Sequence, residues 1–141
     1  MKKILLLLSS LMILLFSPAG LLSASIEEIR LQIYNEEDGV FREAGYDFHF
    51  NEFGPYMLEI VLAGHDDGAY YKKKDGLQIT VKIGKRTYCR KALSFQIVSD
   101  RLYVPVFIDE PVICDKLTVI AEIRAIKGSR VEKVFDFTCG E

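Results

Sequence analysis

Histidine is scarce in this 141-residue chain, with only His49 and His65, and cysteine is limited to Cys89, Cys114 and Cys139. Zinc asks for three or four convergent nitrogen, sulfur or oxygen ligands. Neither a Cys-x-x-Cys pair nor a helical histidine spacing is there to deliver them. The run Gly64-His65-Asp66-Asp67-Gly68 reads as a polar turn between glycines, and it is too short for an oxygen-rich calcium loop. No metal and no cofactor is therefore expected. A Gly-x-Ser-x-Gly elbow is missing, as is a glycine-rich phosphate loop. Carboxylates are plentiful, yet no spacing singles out two of them as an acid/base couple. No catalytic residue is assigned, and the chain is not read as an enzyme.

Helical periodicity, internal repeats and low-complexity linkers are also absent. So is any late apolar run long enough to cross a bilayer. The longest apolar run comes first, in MKKILLLLSSLMILLFSPAGLLSAS. Two lysines precede an apolar stretch from Ile4 to Phe16, and Pro18 interrupts it before the small residues Ser23, Ala24 and Ser25. That order is the pattern of a secretory signal peptide, with cleavage expected after Ala24. Ser25, not a cysteine, stands immediately after the cleavage point, so a lipid anchor is not expected. The chain divides into a leader, 1–24, and one exported domain, 25–141, placed in the periplasm or outside the cell. That length suits one core.

What is present has a period of two. Ile29, Leu31 and Ile33 alternate with Arg30, Gln32 and Tyr34. Tyr46, Phe48 and Phe50 alternate with Asp47, His49 and Asn51, and Ile79, Val81 and Ile83 with Thr80 and Lys82. Successive side chains of a strand point to opposite faces, so this pattern marks half-buried strands. The more continuous YMLEIVLAG reads as a central strand. The expected fold is all-β, a single antiparallel β-sandwich, immunoglobulin-like in broad outline. About seven strands are expected, near 26–34, 45–50, 56–63, 77–83 and 86–91, with hairpins over 93–107 and 117–139.

Parity sharpens two of these. Leu93, Phe95 and Ile97 match Leu102, Val104 and Val106 across a Ser99-Asp100 turn, and Pro105 marks an edge strand or points its missing N–H outward. In the last hairpin, Leu117, Val119, Ala121, Ile123 and Ala125 share a face with Val131, Phe135 and Phe137 only around an odd-length loop. A three-residue loop places Cys139 opposite Leu117, and a five-residue loop places it opposite Asp115.

Cysteines of an exported chain tend to pair. The hairpin brings Cys114 and Cys139 to one neck, so that bridge is expected, with Cys89–Cys114 as the rival. Cys89 is then the free thiol. A two-residue Gly84-Lys85 turn sets it across from Thr80 on the polar face; a three-residue Gly84-Lys85-Arg86 loop sets it across from Val81 in the core. A small buried hydrophobe is the expected role.

Charge is unevenly spread. Residues 25–69 carry eleven acids against two bases, whereas 70–91 carry eight bases against one acid. The basic stretch YYKKKDGLQITVKIGKRTYCRK supplies the candidate binding residues Tyr70, Tyr71, Lys72, Lys73, Lys74, Lys82, Lys85 and Arg86. Phe53, in a turn within an aromatic segment, is a further candidate. Clustered cations beside aromatics bind anionic lipid, polyanions or acidic proteins. Nucleic acid is a poor partner for an exported chain of negative overall charge. The functional expectation is a small non-catalytic binding or accessory module of a bacterial-type cell envelope. It would hold a protein or an anionic envelope component through strand edges or the hairpin 72–91. Two alternatives are an inhibitor that inserts a loop into an exported enzyme and a redox protein centred on Cys89.

Overall fold

The computed structural model describes residues 24–44, 55–65 and 68–137. Ten strands lie in these residues, and no helix is found among them. They are β1 (Ser25–Asn35), β2 (Val40–Glu43), β3 (Tyr56–Ala63), β4 (Tyr70–Tyr71), β5 (Leu77–Ile83), β6 (Arg86–Leu93), β7 (Phe95–Gln96), β8 (Arg101–Ile108), β9 (Lys116–Ile123) and β10 (Val131–Asp136). One four-stranded sheet runs β2-β1-β3-β8, a second runs β10-β9-β5-β6, and β4 pairs with β7. Every pairing is antiparallel. The fold is all-β and sandwich-like.

Alternation builds the core. Ile29, Leu31 and Ile33 from β1 and Leu58, Ile60 and Leu62 from β3 are buried in one cluster with Leu77, Ile79 and Val81 of β5. Leu117, Val119, Ala121 and Ile123 of β9 complete it from the second sheet. Burying a side chain of this size contributes roughly 1.5–3 kcal/mol. The run read as a central strand is β3, which lies between β1 and β8 and buries Ile60, Val61 and Leu62 in succession. At one end, Tyr56 meets Phe137 edge-on at 5.5 Å, which ties the first sheet to the end of β10. Ala24 is also buried, immediately before the first strand.

The expected 93–107 hairpin does not form. β7 pairs with β4, and β8 pairs with β3, from Tyr56 opposite Ile108 to Ala63 opposite Arg101. Phe95, Ile97 and Val106 are all buried, as their parity predicts, but they approach one core from different strand pairs. Ser99 and Asp100 carry the chain between those pairs rather than turning it back on itself. The strand expected at 45–50 falls outside the described residues.

In the last hairpin, Val131 stands opposite Ala121 and Phe135 opposite Leu117. That register has the expected parity but a longer connection, 124–130. Two contacts explain the length. The Ser129 hydroxyl accepts from the Ile123 N–H and donates to the Ile123 C=O, both at 2.9 Å, taking the place of a further backbone pair. Meanwhile Arg124 and Ala125 donate their N–H groups to Gly76 and Asp75, following β5 instead of β10. Ala125 is consequently exposed rather than part of the inner face.

Among the described residues, each edge of the two four-stranded sheets carries a feature that opposes ladder extension. Gly64 N–H bonds Asp100 C=O at 3.1 Å in the β3–β8 register. Bonding pairs alternate in an antiparallel ladder. Pro105, opposite Glu59, therefore turns its missing donor to the open edge. β6 carries a register shift and the exposed Lys91 on its inward-facing row. β2 is four residues long. On β10, Lys133 stands in the inward row and donates its ammonium to the Ile29 C=O at 2.8 Å. Short edges, bulges, proline and inward charges are recognised protections against edge-to-edge pairing.

Candidate functional site

The β5–β6 hairpin, Leu77–Leu93, carries Lys82, Lys85, Arg86, Arg90 and Lys91 and no acid. Its turn is Gly84-Lys85, because Ile83 pairs with Arg86. Gly84 adopts φ +56°, the left-handed value that a tight turn with glycine in its first central position needs. A bulge follows: Val81 stands opposite Cys89 while Lys82 stands opposite Thr87, so Tyr88 is the extra residue. The two alternatives for Cys89 are thus reconciled. The turn has two residues, and the bulge moves Cys89 to the Val81 row on the core side.

Cys89 is a free, half-buried thiol. Burial pushes its pKa up, opposed by the nearby Lys91 charge and by a backbone hydrogen bond at Val81. A protonated thiol is a poor nucleophile. Cys114 takes part in an interaction of its own. It is also the only non-glycine among the described residues with positive φ, at +50°. Cys139 lies outside the described residues, as does Phe53.

Tyr88, displaced by the bulge, reaches the β8–β9 connection. Its hydroxyl donates to the Asp109 carboxylate, and Arg86 pairs with Glu110. The Tyr88 bond holds the Asp109 carboxyl below its ordinary range, and the same bond, with some burial, raises the Tyr88 phenol. Arg86 is thereby occupied within the molecule.

The outward row of the second sheet is where cations converge. Arg90 stands opposite Thr80, and Thr80 opposite Ile120. Lys82 lies two residues along the same face. Together with Gln78, Glu122 and Arg130 they line a shallow concavity of about 330 Å³. Arg130 is paired with Glu132 at 3.3 Å, whereas Lys82 and Arg90 are in no ion pair among the described residues. Unpaired cations on a concave polar floor suit a carboxylate or phosphate.

The structure divides the sequence-derived candidates. Lys72, Lys73 and Lys74 sit at the β4–β5 turn, closed by a 2.8 Å bond from Asp75 N–H to Lys72 C=O. β5 separates them from Lys85 and Arg86: seven residues at ~3.4 Å each span roughly 24 Å. One stretch of sequence therefore makes two basic places rather than one patch. Tyr70 is 60% exposed, but Tyr71 is a core residue, stacked on Phe95 at 4.5 Å and withdrawn from the surface. Arg130 and Thr80 were not singled out beforehand. Arg130 comes from the other hairpin of the sheet, and only the strand order β10-β9-β5-β6 brings it near Arg90.

The other notable cavity, about 370 Å³, is lined by Ser25, Glu27, Gly64, His65, Asp100 and Arg101, with Arg101 bonded to Glu27 at 2.6 Å. Among the described residues no group of three or more His, Cys, Asp or Glu side chains is placed to hold a metal. No protein-family model, no curated protein and no solved structure matches this chain.

Proposed function

We propose that the chain is a small exported, non-catalytic binding module with an immunoglobulin-like β-sandwich architecture. It holds an acidic protein surface or an anionic envelope component on the β5–β6 hairpin. The observation that carries this reading is the pair Lys82 and Arg90, unpaired beside Arg130 on one concave face. The leader 1–24 supports export, through its charged start, apolar run and small residues.

A Cys114–Cys139 bridge belongs to the same reading. Cys89 is free, and Cys114 takes part in an interaction of its own. The Phe137 N–H bonds the Asp115 C=O at 3.0 Å, which returns the C-terminal segment to the neck beside Cys114.

Binding to phosphatidylglycerol vesicles and to polyglutamate, measured at low salt, tests the main reading. Lys82→Ala with Arg90→Ala should weaken it at least about tenfold, roughly 1.4 kcal/mol. Replacing Lys72, Lys73 and Lys74 with alanine should matter much less. Binding indifferent to the first pair removes the hairpin from consideration.

The 109–115 connection favours a second reading, loop insertion into an exported enzyme. Tyr88 and Arg86 brace it, Val112 is buried against the core, and Ile113 projects beside the left-handed Cys114. Rigid presentation of an apolar anchor reduces the ordering cost of binding. A one-to-one complex with an exported hydrolase that survives gel filtration, and is lost with Ile113→Asp, is the expected signature.

A further inference from the structure

We infer that a second copy of this chain is an acidic partner of the β5–β6 hairpin, and that copies associate head to tail through the β1–β2 hairpin of the next molecule. The inference rests on the reading of β5–β6 as the docking hairpin and names the surface that it grips.

Position comes first. β2 is the outermost strand of the first sheet and β6 the outermost strand of the second. β1 lies against β10, through the Lys133 to Ile29 bond, while the chain leaving β8 lies against β6, through Tyr88 to Asp109 and Arg86 to Glu110. The β2 and β6 edges consequently stand on opposite flanks of the sandwich.

Charge comes second. Residues 25–44 carry six acids and two bases. Both bases are satisfied locally: Arg42 pairs with Asp38, and Arg30 pairs with Glu28 at 2.8 Å and with Glu59 at 3.5 Å. Glu36, Glu37 and Glu43 are left in no ion pair among the described residues. On the opposite flank Glu110 occupies Arg86, and Lys82, Lys85, Arg90 and Lys91 are left in the same condition. The β1–β2 pole, where Glu36, Glu37 and Glu43 outnumber the unpaired cation Lys133, thus faces away from a β5–β6 pole where Lys82, Lys85, Arg90 and Lys91 outnumber Glu110 and Glu122.

Like poles repel and unlike poles match, so the favourable contact joins β6 of one copy to β2 of the next. Such a contact is heterologous: it does not close at a dimer, and repeats as a line of molecules. The bulge and Lys91 on β6 keep it a contact of side chains rather than a continued ladder. Charged poles of this kind act over about 30 Å at 10 mM salt and about 3 Å at 1 M.

Sedimentation velocity on protein purified from a cell expressing the full chain tests this, at ~10 mM and ~1 M NaCl across a concentration series. The weight-average mass should rise at least about twofold with concentration at low salt, and stay monomeric at high salt. Two variants decide the geometry. Lys82→Glu/Arg90→Glu/Lys91→Glu makes both poles acidic, and Glu36→Lys/Glu37→Lys/Glu43→Lys makes both poles basic. Each alone should be monomeric, and an equimolar mixture should associate again, which a misfolded variant would not do. A wild-type protein that is monomeric at low salt, association that persists in the acidic variant, or a silent mixture overturns the inference. Phosphatidylglycerol vesicles separate the two failures. Wild-type protein that binds vesicles but never self-associates ends this inference and leaves the docking hairpin standing; protein that does neither ends both.

Discussion

β1–β2 and β5–β6 are both antiparallel hairpins at a sheet edge, and both have a left-handed glycine near the turn, Gly39 at φ +70° and Gly84 at +56°. Their inner faces are interchangeable in kind: Ile29, Leu31 and Ile33 against Leu77, Ile79 and Val81, all buried. Their exposed charges are opposites, Glu36, Glu37 and Glu43 on one against Lys82, Lys85, Arg90 and Lys91 on the other, none of them in an ion pair among the described residues. Burial constrains the inner rows because every exposed apolar group there forfeits transfer free energy. It leaves the outer rows free, so differences between two similarly folded hairpins are where recognition is written.

The strongest way to test that division is to damage the shared part. Leu58→Ala in the first sheet and Leu117→Ala in the second, both fully buried, should each cost about 2–5 kcal/mol in urea unfolding. Comparable losses confirm a common core; tolerance in one sheet alone would separate the two hairpins energetically. Next in size is the proposed bridge. Cys114→Ser should cost roughly 3.5 kcal/mol on the chain-entropy model for a loop of about 25 residues. Non-reduced protein should show one thiol after denaturation, and three would remove the bridge.

Smaller effects distinguish the glycines. Gly84→Ala meets the Asp115 side chain as well as an unfavourable φ, while Gly128, at +81°, faces open space. Strain from φ alone costs roughly 1 kcal/mol, so Gly128→Ala should approach that figure and Gly84→Ala should exceed it. Equal losses would mean that Asp115 simply moves aside.

The smallest effects are changes in titration. Asp109 has a lowered pKa in the folded chain, so its contribution to stability is present above the unfolded value and disappears as pH falls through the folded one. Tyr88→Phe removes the principal cause, and NMR titration should find Asp109 closer to an ordinary carboxylate. Cys89 has a raised pKa, so its contribution is present at neutral pH and is lost as pH rises through the folded value. Native Cys89 should accordingly label slowly near neutral pH and quickly after unfolding. Fast native labelling would transfer attention from the hairpin's charges to its sulfur.

Particular residues show how far reading the chain could go. β3 and β5 begin and end where alternation and turn residues put them, at 56–63 and 77–83. Phe95, Ile97 and Val106 were recognisably inward, although their strand partners were not recognisable. Adjacent hairpin pairing is the local choice, and the chain instead sends β8 to β3 and β7 to β4. The Lys72–Lys74 and Lys85–Arg86 groups are neighbours in sequence, but β5 holds them at its opposite ends. Arg130 enters the basic concavity only through strand order.

By itself the sequence determined the period of two, the inward residues and the segregation of charge, because each depends on side chains a few positions apart. Tertiary structure decided which strands pair, that a bulge at Tyr88 carries Cys89 to the core side, and that Lys82, Arg90 and Arg130 share a face. Those outcomes depend on contacts between distant segments and on the packing of one core, neither of which any short stretch encodes.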